Sequence, residues 1–419
     1  MRLMLAVLVL PTVNGHAQTR HCASDNAGLT LPRGFCAQLF AERVGLARHI
    51  AVVPNGDVLV VLLDRGGPTG ILLLRDTNGD GVADLRVTVL EDSAATDVAI
   101  WTGDGRTYLY YATYNEIIRF RWRVGGVRPV GLPDTIVRGL PGAQDYGTRH
   151  GIKTMAFGPD DRLYVNIGAP SNSCQVFDRE PGSPGMAPCS LLDSTGGVWV
   201  FNAQRSGQTR RAGLRFATGL RNAVAIAVRP ATSALYGVVH GRDELSRLWG
   251  FSDSANAETP AEEFVHIEMR DDFGWPYCYY DPRQNRKVLA PEYGGDGYTV
   301  GRCAAKKDPL IAFPAHWAPN GVHFYSGSLF PQRYRHGAFI AFHGSWNRAP
   351  LPQAGYKVVF VPFRGSEPLS WEIFADGFRD EGAGRYARPV DVAEGPDGSL
   401  YISDSEGGRV YRITYASAN

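Results

Sequence analysis

The segment PVDVAEGPDGSLYISDS, residues 389–405, shows the pattern that decides the fold. An apolar run meets a tight polar turn and then a second apolar, aromatic-containing run, which is typical of a β-hairpin. Five more segments repeat it: HIAVVPNGDVLVV (49–61), DVAIWTGDGRTYLYYA (97–112), IKTMAFGPDDRLYVNIG (152–168), AVAIAVRPATSALYGVVHG (223–241) and GVHFYSGSLFPQRYRHGAFIAFHGS (321–345). Recurrence of a strand-rich unit at intervals of tens of residues is typical of a radial β-array. The sequence therefore predicts an all-β fold, a six-bladed β-propeller, whose loops converge around one channel.

Length and charge are compatible with one propeller domain, because a radial array absorbs 419 residues as a single unit. The segment 34–44 has strand character, and we expect it to pair with the segment 407–415 and close the ring. Basic residues number 43 and acidic residues 42, so no nucleic-acid partner is expected. The basic runs 119–128 and 210–215 are interpreted as solvated strand faces, with a polyanion site as the alternative.

The N-terminus has the pattern of a secretory signal. Arg2 precedes the apolar run 3–10, and Gly15-His16-Ala17 offers a small-x-small cleavage site. We predict a signal peptide over residues 1–17, cleaved after Ala17, an N-terminal arm over 18–30 and the propeller domain over 31–419. The alternative is that the apolar run is the first strand of the fold. The run is too short for a membrane span, none is expected later, and the predicted location is periplasmic or extracellular.

The cysteines favour an oxidising compartment. Six are present, and the expected disulfides join sequence-local couples: Cys22–Cys36, Cys174–Cys189 and Cys278–Cys303. No CxxC or CxxCH motif occurs, so neither zinc nor covalent haem is expected. Four of the cysteines lie in two long connections, 171–195 and 273–309. Loops of this length in a compact domain are usually functional, and we expect these two to form walls of a binding site.

One loop resembles a calcium site. In DTNGDGVAD, residues 76–84, oxygen-bearing side chains occupy positions 1, 3, 5 and 9, and glycine occupies position 6, as at the start of an EF-hand loop. The predicted ligands of a structural Ca²⁺ are Asp76, Asn78, Asp80 and Asp84. Val87 stands where the usual bidentate glutamate would be. The alternative is a hairpin turn without metal.

Polar residues also recur at the entrances of the predicted inner strands. His150 precedes the third hairpin, Arg221 the fourth and Arg388 the sixth, so all three point toward one axis. A histidine there is a candidate general base, because its pKa lies near working pH. Alone it would be an ordinary loop residue. The segment 240–245 is either a second Ca²⁺ site or a turn, and 273–277 is either an aromatic wall or a buried turn.

Several longer motifs occur in a familiar order: RHGIKTMAFGPDDRLYVNIGAP, GLRNAVAIAV, HGRDEL, DDFGWPYCY, PAHWAPNGVHFYSG, FIAFHGSWNR, GYKVVFVPF and ARPVDVAEGPDGSLYISDSEGGRVYRI. Over residues 31–415 the chain resembles the secreted, pyrroloquinoline-quinone (PQQ) dependent soluble glucose dehydrogenases and the related L-sorbosone dehydrogenases. The sorbosone-type branch is nearer, particularly in HGSWNR. The family fold is a six-bladed propeller.

The resemblance implies a role for each matching position. His150 would abstract the hydroxyl proton while hydride passes to PQQ, and Arg221 would stabilise the developing negative charge. The implied cofactor-binding residues are Asn222, Arg348, Lys357, Arg385 and Arg388. The implied catalytic Ca²⁺ site consists of Gly241, Arg242, Asp243 and Glu244. The expected partners are a sugar or sugar-aldehyde substrate and an external electron acceptor, a cytochrome or a quinone.

The chain departs from the family pattern at three places. The glucose-type enzymes carry aspartate before the catalytic histidine, whereas Arg149 stands here. Asp97 takes the place of an expected polar amide, and the aromatic cover of the sugar would come from Phe313, His316 or Trp317. The leading hypothesis is a PQQ- and Ca²⁺-dependent sugar or sorbosone dehydrogenase. The alternatives are a non-catalytic propeller binding module and a Ca²⁺-dependent lactonase or esterase.

Overall fold

Six sheets, each with four main strands, surround a central axis as the blades of a propeller, which confirms the predicted fold. The structure, a computed structural model, describes residues 23–63, 67–142, 150–380, 382 and 384–416. The predicted signal peptide 1–17 and the beginning of the predicted arm lie outside the described residues.

Each of the six quoted segments forms the two innermost strands of one blade, and we number the blades 1 to 6 in the order of these segments along the chain. The innermost strands are β2 (Ala47–Val52), β6 (Ala95–Gly103), β10 (Met155–Phe157), β15 (Ala225–Arg229), β22 (Pro319–Phe324) and β30 (Pro389–Glu394). The second strands are β3 (Val58–Leu62), β7 (Arg106–Thr113), β11 (Arg162–Ile167), β16 (Ala234–Val239), β23 (Ala338–Phe342) and β31 (Leu400–Asp404). Strands β3, β23 and β31 are buried along their whole length, which explains their nearly continuous apolar runs.

The outer strands complete each sheet. The third strands are β4 (Gly70–Arg75), β8 (Ile117–Trp122), β12 (Gly197–Asn202), β17 (Glu262–Ile267), β24 (Lys357–Val361) and β32 (Arg409–Tyr415). The outermost strands are β5 (Leu85–Leu90), β9 (Val130–Arg138), β14 (Leu214–Thr218), β21 (Ile311–Phe313), β27 (Glu372–Ala375) and β1 (Phe35–Ala41). Further short strands are β13 (Gln208–Thr209), β18 (Asp271–Asp272), β19 (Cys278–Asp281), β20 (Arg286–Leu289), β25 (Phe363–Arg364), β26 (Glu367–Pro368), β28 (Arg379–Asp380) and β29 (Arg385–Tyr386).

The ring is closed by its two ends. Strand β1, from the N-terminal region, pairs antiparallel with β32, with Phe35 opposite Tyr415, which confirms the expected closure. The ring of Phe35 lies edge-on, within about 5 Å, against Phe330 and Phe374 of the preceding blade. A strand from the start of the chain therefore supplies both hydrogen bonds and core packing to the last blade, so that this sheet has no open edge there.

Helices are short. The α-helices span Leu245–Trp249 and Asp253–Glu258. Single 3₁₀ turns span Asn26–Gly28, Ser190–Asp193, Arg210–Ala212, Pro291–Tyr293, Gly301–Ala305 and Gln332–Tyr334. Within the described ranges, no helix is both long and apolar enough to cross a membrane.

Candidate functional site

The candidate site lies at the end of the channel where the innermost strands begin. Each innermost strand runs away from this face and its antiparallel partner returns to it. His150, Arg221 and Arg388 lie just before β10, β15 and β30. Residues 240–244 follow the second strand β16 and residues 343–348 follow β23. The hairpin geometry therefore brings segments that are distant in sequence to one mouth.

His150 is held in a defined tautomer. Its backbone has a φ of +50°, and its Nδ1 lies 2.5 Å from the carbonyl oxygen of Ala169. A carbonyl accepts, so Nδ1 carries the hydrogen and the lone pair is on Nε2. Burial, and then the positive charge of Arg221, lower the pKa of His150 to about 3. The imidazole is consequently neutral at ordinary pH and able to take a proton.

A glycine lets His150 and Asn222 approach the same strand end. A Cβ on Gly168 would lie 2.7 Å from both the His150 carbonyl oxygen and the Asn222 Oδ1. Asn222 is 5% exposed, and its Oδ1 accepts no hydrogen bond from the described residues. A buried acceptor without a donor is costly. The position of Asn222 at the mouth therefore marks a place where a ligand donor or a water would be stabilised.

Arg221 is buried and held on three sides. Its Nε donates to the Asn172 carbonyl oxygen at 3.1 Å and its Nη2 to Asn172 Oδ1 at 3.0 Å. Nη2 also donates to Asp243 Oδ2 at 2.8 Å, and Nη1 donates to the Gly241 carbonyl oxygen at 2.6 Å. A guanidinium has five N–H donors. These four bonds leave one Nη1 hydrogen without a partner among the described residues.

Asp243 balances this arginine. Arg179 donates to the same oxygen, Asp243 Oδ2, at 3.0 Å, and it also pairs with Glu244 at 2.5 Å. His316 Nδ1 lies 3.8 Å from Asp243 Oδ1. Despite burial, these positive neighbours, Arg221 first, hold the pKa of Asp243 well below its usual range. The carboxylate is therefore charged wherever the protein is folded near neutral pH.

The four residues implied for the catalytic Ca²⁺ are close in space but engaged with other groups. The Gly241 carbonyl accepts from Arg221, and the side chain of Arg242 pairs with buried Glu292 at 2.5 Å. Asp243 and Glu244 pair with Arg179. Over the described residues, no group of three or more His, Cys, Asp or Glu side chains converges as a metal cluster.

The implied cationic residues separate into two sets. Arg388 donates from Nε and Nη2 to the carbonyl oxygens of His343 and Gly344 at the mouth, and Lys357 pairs with Asp376 at 3.1 Å. Arg348 instead donates to Ala257, Glu258 and Pro352, so its charge supports the short helix Asp253–Glu258. The side chain of Arg385 and all of Arg149 lie outside the described residues.

The channel below the mouth is polar and open. A cavity of about 300 Å³ runs along the innermost strands. His49 Nδ1 lies 3.4 Å from Asp391, and both oxygens of Asp97 accept backbone N–H groups, from Val98 and Met155. Burial, and less strongly Asp391, raise the pKa of Asp97 to about 6. These carboxylates are therefore engaged in tying neighbouring inner strands together.

Comparison with known proteins assigns the chain to a family. The model of the TrAA12-like family matches residues 29–416. The chain belongs to this family. Over 202 residues it is 33% identical to an uncharacterised protein of Borreliella burgdorferi, covering 48% of this chain and 48% of that one. Over 232 residues it is 28% identical to the pyrroloquinoline quinone-dependent pyranose dehydrogenase of Coprinopsis cinerea, covering 46% of this chain and 30% of that one. The chain thus matches half or less of these curated relatives' lengths.

Solved structures show the same fold. The iodide structure of the Trichoderma reesei family AA12 enzyme superposes with a TM-score of 0.76 at 18% identity, covering 95% of this chain and 100% of that one. The holo form of the pyranose dehydrogenase PQQ domain from Coprinopsis cinerea gives 0.73 at 20% identity, covering 92% and 97%. The soluble aldose sugar dehydrogenase of Escherichia coli gives 0.59 at 17% identity, covering 91% and 99%.

In this TrAA12-like chain the two long connections form one wall beside Arg221. The disulfides Cys174–Cys189 and Cys278–Cys303 are confirmed; the predicted pair Cys22–Cys36 includes a residue outside the described part. The four confirmed cysteines pack in one buried cluster with Trp275 and Tyr277. Phe273, Trp275 and Tyr277 are all less than 9% exposed. The segment 273–277 is therefore a buried turn inside the wall rather than an exposed aromatic surface.

The loop predicted to bind Ca²⁺ folds as a compact turn. Asp76 accepts from the N–H groups of Gly79 and Gly81 at 2.7 Å, and Asp80 accepts from Val82. Asn78 Nδ2 donates to Asp80, and Asp84 accepts from Thr77. The four predicted ligands thus share one exposed loop, but their oxygens accept internal hydrogen bonds. The structural Ca²⁺ there stays a prediction.

Some residues of the site were not apparent from the sequence. Asn172, Arg179 and Glu292 have no motif of their own; a buried polar residue in a long cysteine-bearing loop is the available signal. The predicted aromatic covers are buried, Phe313 fully and His316 and Trp317 at 6% and 8% exposure. Exposed aromatics among the described residues include Phe177, at 68%, and Trp346, at 57%; Phe177 lies in the long connection 171–195 and Trp346 in the mouth segment 343–348.

Proposed function

We propose that this protein is a PQQ- and Ca²⁺-dependent dehydrogenase that oxidises a sugar or sugar aldehyde of the aldose or sorbosone kind. The observation that carries the proposal is the pairing, at one channel mouth, of a neutral histidine with a buried arginine that has one unused N–H donor. Family membership over residues 29–416 supports the cofactor class, since a curated relative is named for PQQ dependence.

The residues at the mouth fit an anionic quinone. PQQ carries three carboxylates, and Arg388 and Lys357 supply positive charge near β30 and β24. The buried Oδ1 of Asn222 accepts no hydrogen bond from the described residues. The N–H and protonated groups of PQQ could donate a hydrogen bond to it. Arg221 would hold the quinone oxygen through its remaining Nη1 hydrogen. When bound, PQQ supplies the two-electron acceptor that the protein lacks.

For Ca²⁺ the donor chemistry fits, because backbone carbonyl and carboxylate oxygens are its preferred ligands. The Gly241 carbonyl and the Asp243 carboxylate are such donors, and Arg221 bonds both of them. Carbonyl and carboxylate oxygens have further lone pairs, and we propose that Ca²⁺ would bind to these while the bonds from Arg221 are kept. A second, structural Ca²⁺ in the 76–84 loop would be bound by Asp76, Asn78, Asp80 and Asp84.

The roles of the chain's own groups follow from the geometry. His150 Nε2 accepts the proton of the substrate hydroxyl, because Nδ1–H is fixed on the Ala169 carbonyl. Burial and Arg221 oppose the positive charge of the resulting imidazolium, and the hydrogen bond to Ala169 and the Asp243 carboxylate partly offset them. Arg221 keeps a fixed positive charge at the place where negative charge develops. The disulfide-bonded wall orders the loop that supports both residues.

The two confirmed disulfides fit an extracellular or periplasmic location. We propose that residues 1–17 direct export, and that electrons leave to an external acceptor such as a cytochrome or quinone. The lactonase alternative needs a metal surrounded by Asn, Asp and Glu side chains. The channel carboxylates Asp97 and Asp391 instead accept backbone N–H groups.

Reconstitution tests the proposal. The purified protein is stripped with a chelator, loaded with PQQ and Ca²⁺ or Mg²⁺, and followed by cofactor absorbance and by dye reduction with a panel of aldoses and keto-aldehydes. We expect saturable PQQ binding and substrate-dependent dye reduction that disappears in His150→Ala. The control is His266→Ala, because His266 lies on the third strand of blade 4 beside Glu268. Binding without turnover on any substrate would favour the binding-module alternative, and absence of PQQ binding would overturn the proposal.

A further inference from the structure

Asn172 holds Arg221 and its neighbours through both its backbone carbonyl and its side-chain amide. It is 1% exposed and lies at the start of the connection 171–195, just after β11. Its carbonyl oxygen accepts from Arg221 Nε at 3.1 Å and from Trp275 Nε1 at 2.9 Å. Its Oδ1 accepts from Arg221 Nη2 at 3.0 Å and from the Asp243 N–H at 2.9 Å. Both oxygens thus use two acceptor positions each.

The amide nitrogen of the same side chain completes the contact. Asn172 Nδ2 donates to the Asp243 carbonyl oxygen at 2.9 Å. The side-chain amide of Asn172 therefore accepts from the Asp243 N–H and donates to the Asp243 C=O, which is the pattern of a hydrogen-bonded residue pair in a β-sheet. Aspartate could not replace this donor, and a serine would be too short to span both groups. The residue type is matched to the backbone that it fixes.

The grip on Arg221 is bidentate. Nε bonds to the backbone carbonyl oxygen of Asn172, and Nη2 bonds to its side-chain Oδ1; these two donors form one edge of the planar guanidinium. Only the Oδ1 bond is lost when the side chain is truncated. This fixes the plane of the group and hence the direction of its Nη1 hydrogens. One Nη1 hydrogen bonds to Gly241, and the other is the donor left for a ligand. Asn172 thus sets the direction of a donor that it does not itself provide.

The segment that carries Asn172 also supports the histidine. Ala169, three residues earlier, accepts from His150 through its carbonyl and donates its N–H to the Arg221 carbonyl at 2.8 Å. The Asn172 N–H bonds to Asp178 at 2.9 Å, and Cys174 begins the first disulfide two residues later. The short segment 169–174 therefore contacts His150 and Arg221 and leads directly into the first disulfide.

We infer that Asn172 is the positioning residue of this site, fixing the Arg221 guanidinium and the Asp243 backbone relative to His150. The inference rests on the proposed function, because the reaction is what would register a misdirected Arg221. The Asn172 side chain is 1% exposed, and its amide atoms are engaged with Arg221 and Asp243. Its removal is therefore expected to affect the chemical step more than substrate binding.

The test compares Asn172→Ala with Gln208→Ala. Gln208 is also buried, at 3% exposure, and its amide likewise bonds to backbone groups, those of Asn202 and Arg205, on the outer side of blade 2. Loss of either amide leaves backbone groups without partners, so the two variants should lose similar stability. Only Asn172→Ala should lower kcat, by about 10- to 100-fold with KM changed less than about threefold, as expected for a misplaced catalytic group.

Further variants and measurements distinguish a specific effect of Asn172 on Arg221 from a general loss of stability. Asn172→Asp keeps the acceptor for Arg221 but loses the donor to the Asp243 carbonyl, so its kcat should lie between those of the wild type and Asn172→Ala. In a double-mutant cycle, Asn172→Ala should add less than about twofold to the loss in Arg221→Lys, because both changes disturb one group. A PQQ absorbance titration of each variant, independent of turnover, should show weaker binding for Asn172→Ala and unchanged binding for Gln208→Ala.

The outcomes distinguish the inference from the proposed function. If the wild type neither binds PQQ nor reduces dye, the proposed function fails, and the inference falls with it before any variant is made. If the wild type is active but the two alanine variants lose activity equally, or the cycle is multiplicative, then Asn172 is only structural. A selective, non-additive loss in Asn172→Ala supports the positioning role.

Discussion

The two halves of the channel mouth hold their arginines in different ways. On blades 3 and 4, Arg221 is bonded to the Asp243 carboxylate, which balances its charge, and to Asn172. On blades 5 and 6, Arg388 is bonded to two backbone carbonyls and lies over the ring of Tyr356 at 5.7 Å. Carbonyls orient a guanidinium but do not neutralise it. The first half is therefore built to fix a reacting geometry, and the second to present positive charge.

The surroundings of the two halves agree with this difference. The first half is backed by the wall that contains both described disulfides and a buried aromatic cluster. In the second half, His343 Nε2 contacts Ser405 at 3.0 Å, and the segment 343–348 carries the exposed Trp346. We interpret the first half as the place of proton transfer and the second as the place where the anionic end of the cofactor is held.

The largest expected effect is the loss of the base in the first half. His150→Ala should lower kcat by about 10³-fold, within the range found for general base catalysis, because no other described imidazole has its Nε2 at this position. PQQ affinity should change by much less. Stopped-flow reduction of the bound cofactor by substrate measures the step directly. A His150→Ala enzyme that reduces the cofactor at the wild-type rate would contradict the role of His150.

The next largest effect should come from the second half and appear in affinity instead. Arg388→Met removes a charged donor, and such a donor is worth about 10- to 100-fold in the Kd of an anionic ligand. At saturating PQQ, kcat should stay within about threefold of the wild type. The matched control is Arg86→Met, because Arg86 is exposed on an outermost strand and bonds to the Glu42 carbonyl. If Arg388→Met lowered kcat and left the Kd for PQQ unchanged, Arg388 would not act mainly in cofactor binding, and the proposed difference between the two halves would be wrong.

Part of this comparison could be read from the sequence. Hairpin periodicity predicted all six pairs of inner strands, since buried strands need continuous apolar runs and tight turns need Asn-Gly or Asp-Gly residues. The recurrence of polar residues before inner strands predicted that His150, Arg221 and Arg388 lie at the same end of the channel. The cysteine couples identified the wall. Such features are local, so each leaves a pattern within a few residues.

Other parts depend on contacts between distant segments and left no local pattern. Asn172 meets Asp243 across 71 residues and Trp275 across 103, and nothing in SNSC marks it. The resemblance implies Arg348 as a cofactor ligand, which stays a prediction, and the sequence did not show that its guanidinium pairs with Glu258. The direction of a side chain is decided by packing in the loops, which a single sequence does not show.

A smaller effect is expected from opening the wall of the first half. The double variant Cys174→Ser and Cys189→Ser should lose about 2–5 kcal/mol of stability and lower kcat by about three- to tenfold, since the disulfide begins two residues after Asn172. Urea denaturation and steady-state rates measure the two effects. The variant Cys278→Ser and Cys303→Ser is the internal comparison, because the nearby Trp275 bonds to the Asn172 carbonyl rather than to Arg221 itself. Equal losses of kcat in the two disulfide variants would show that both disulfides support the site to the same extent.

The smallest expected effect is a difference between the wild type and His150→Gln in how stability depends on pH. It tests whether the surroundings of His150 disfavour its protonation. Burial and Arg221, with His240 adding and Asp243 opposing, lower the pKa of His150 to about 3, whereas an unfolded histidine titrates near pH 6.5. Below about pH 6.5 the unfolded chain binds a proton that the folded chain does not. The contribution of His150 is therefore complete above this pH and is lost as the pH falls toward 3. Urea midpoints between pH 7 and 4 should fall less steeply for His150→Gln than for the wild type.

Asp97 titrates in the same pH range, so the quantity to measure is the difference between the stability curves of the wild type and His150→Gln. Its pKa is raised to about 6, so the folded chain binds its proton more tightly than the unfolded chain, and its effect on stability has the opposite sign between about pH 4 and 6. That contribution is common to both proteins and cancels in the difference. If the wild type and His150→Gln have parallel curves, water reaches the imidazole freely, and the first half is as open as the second.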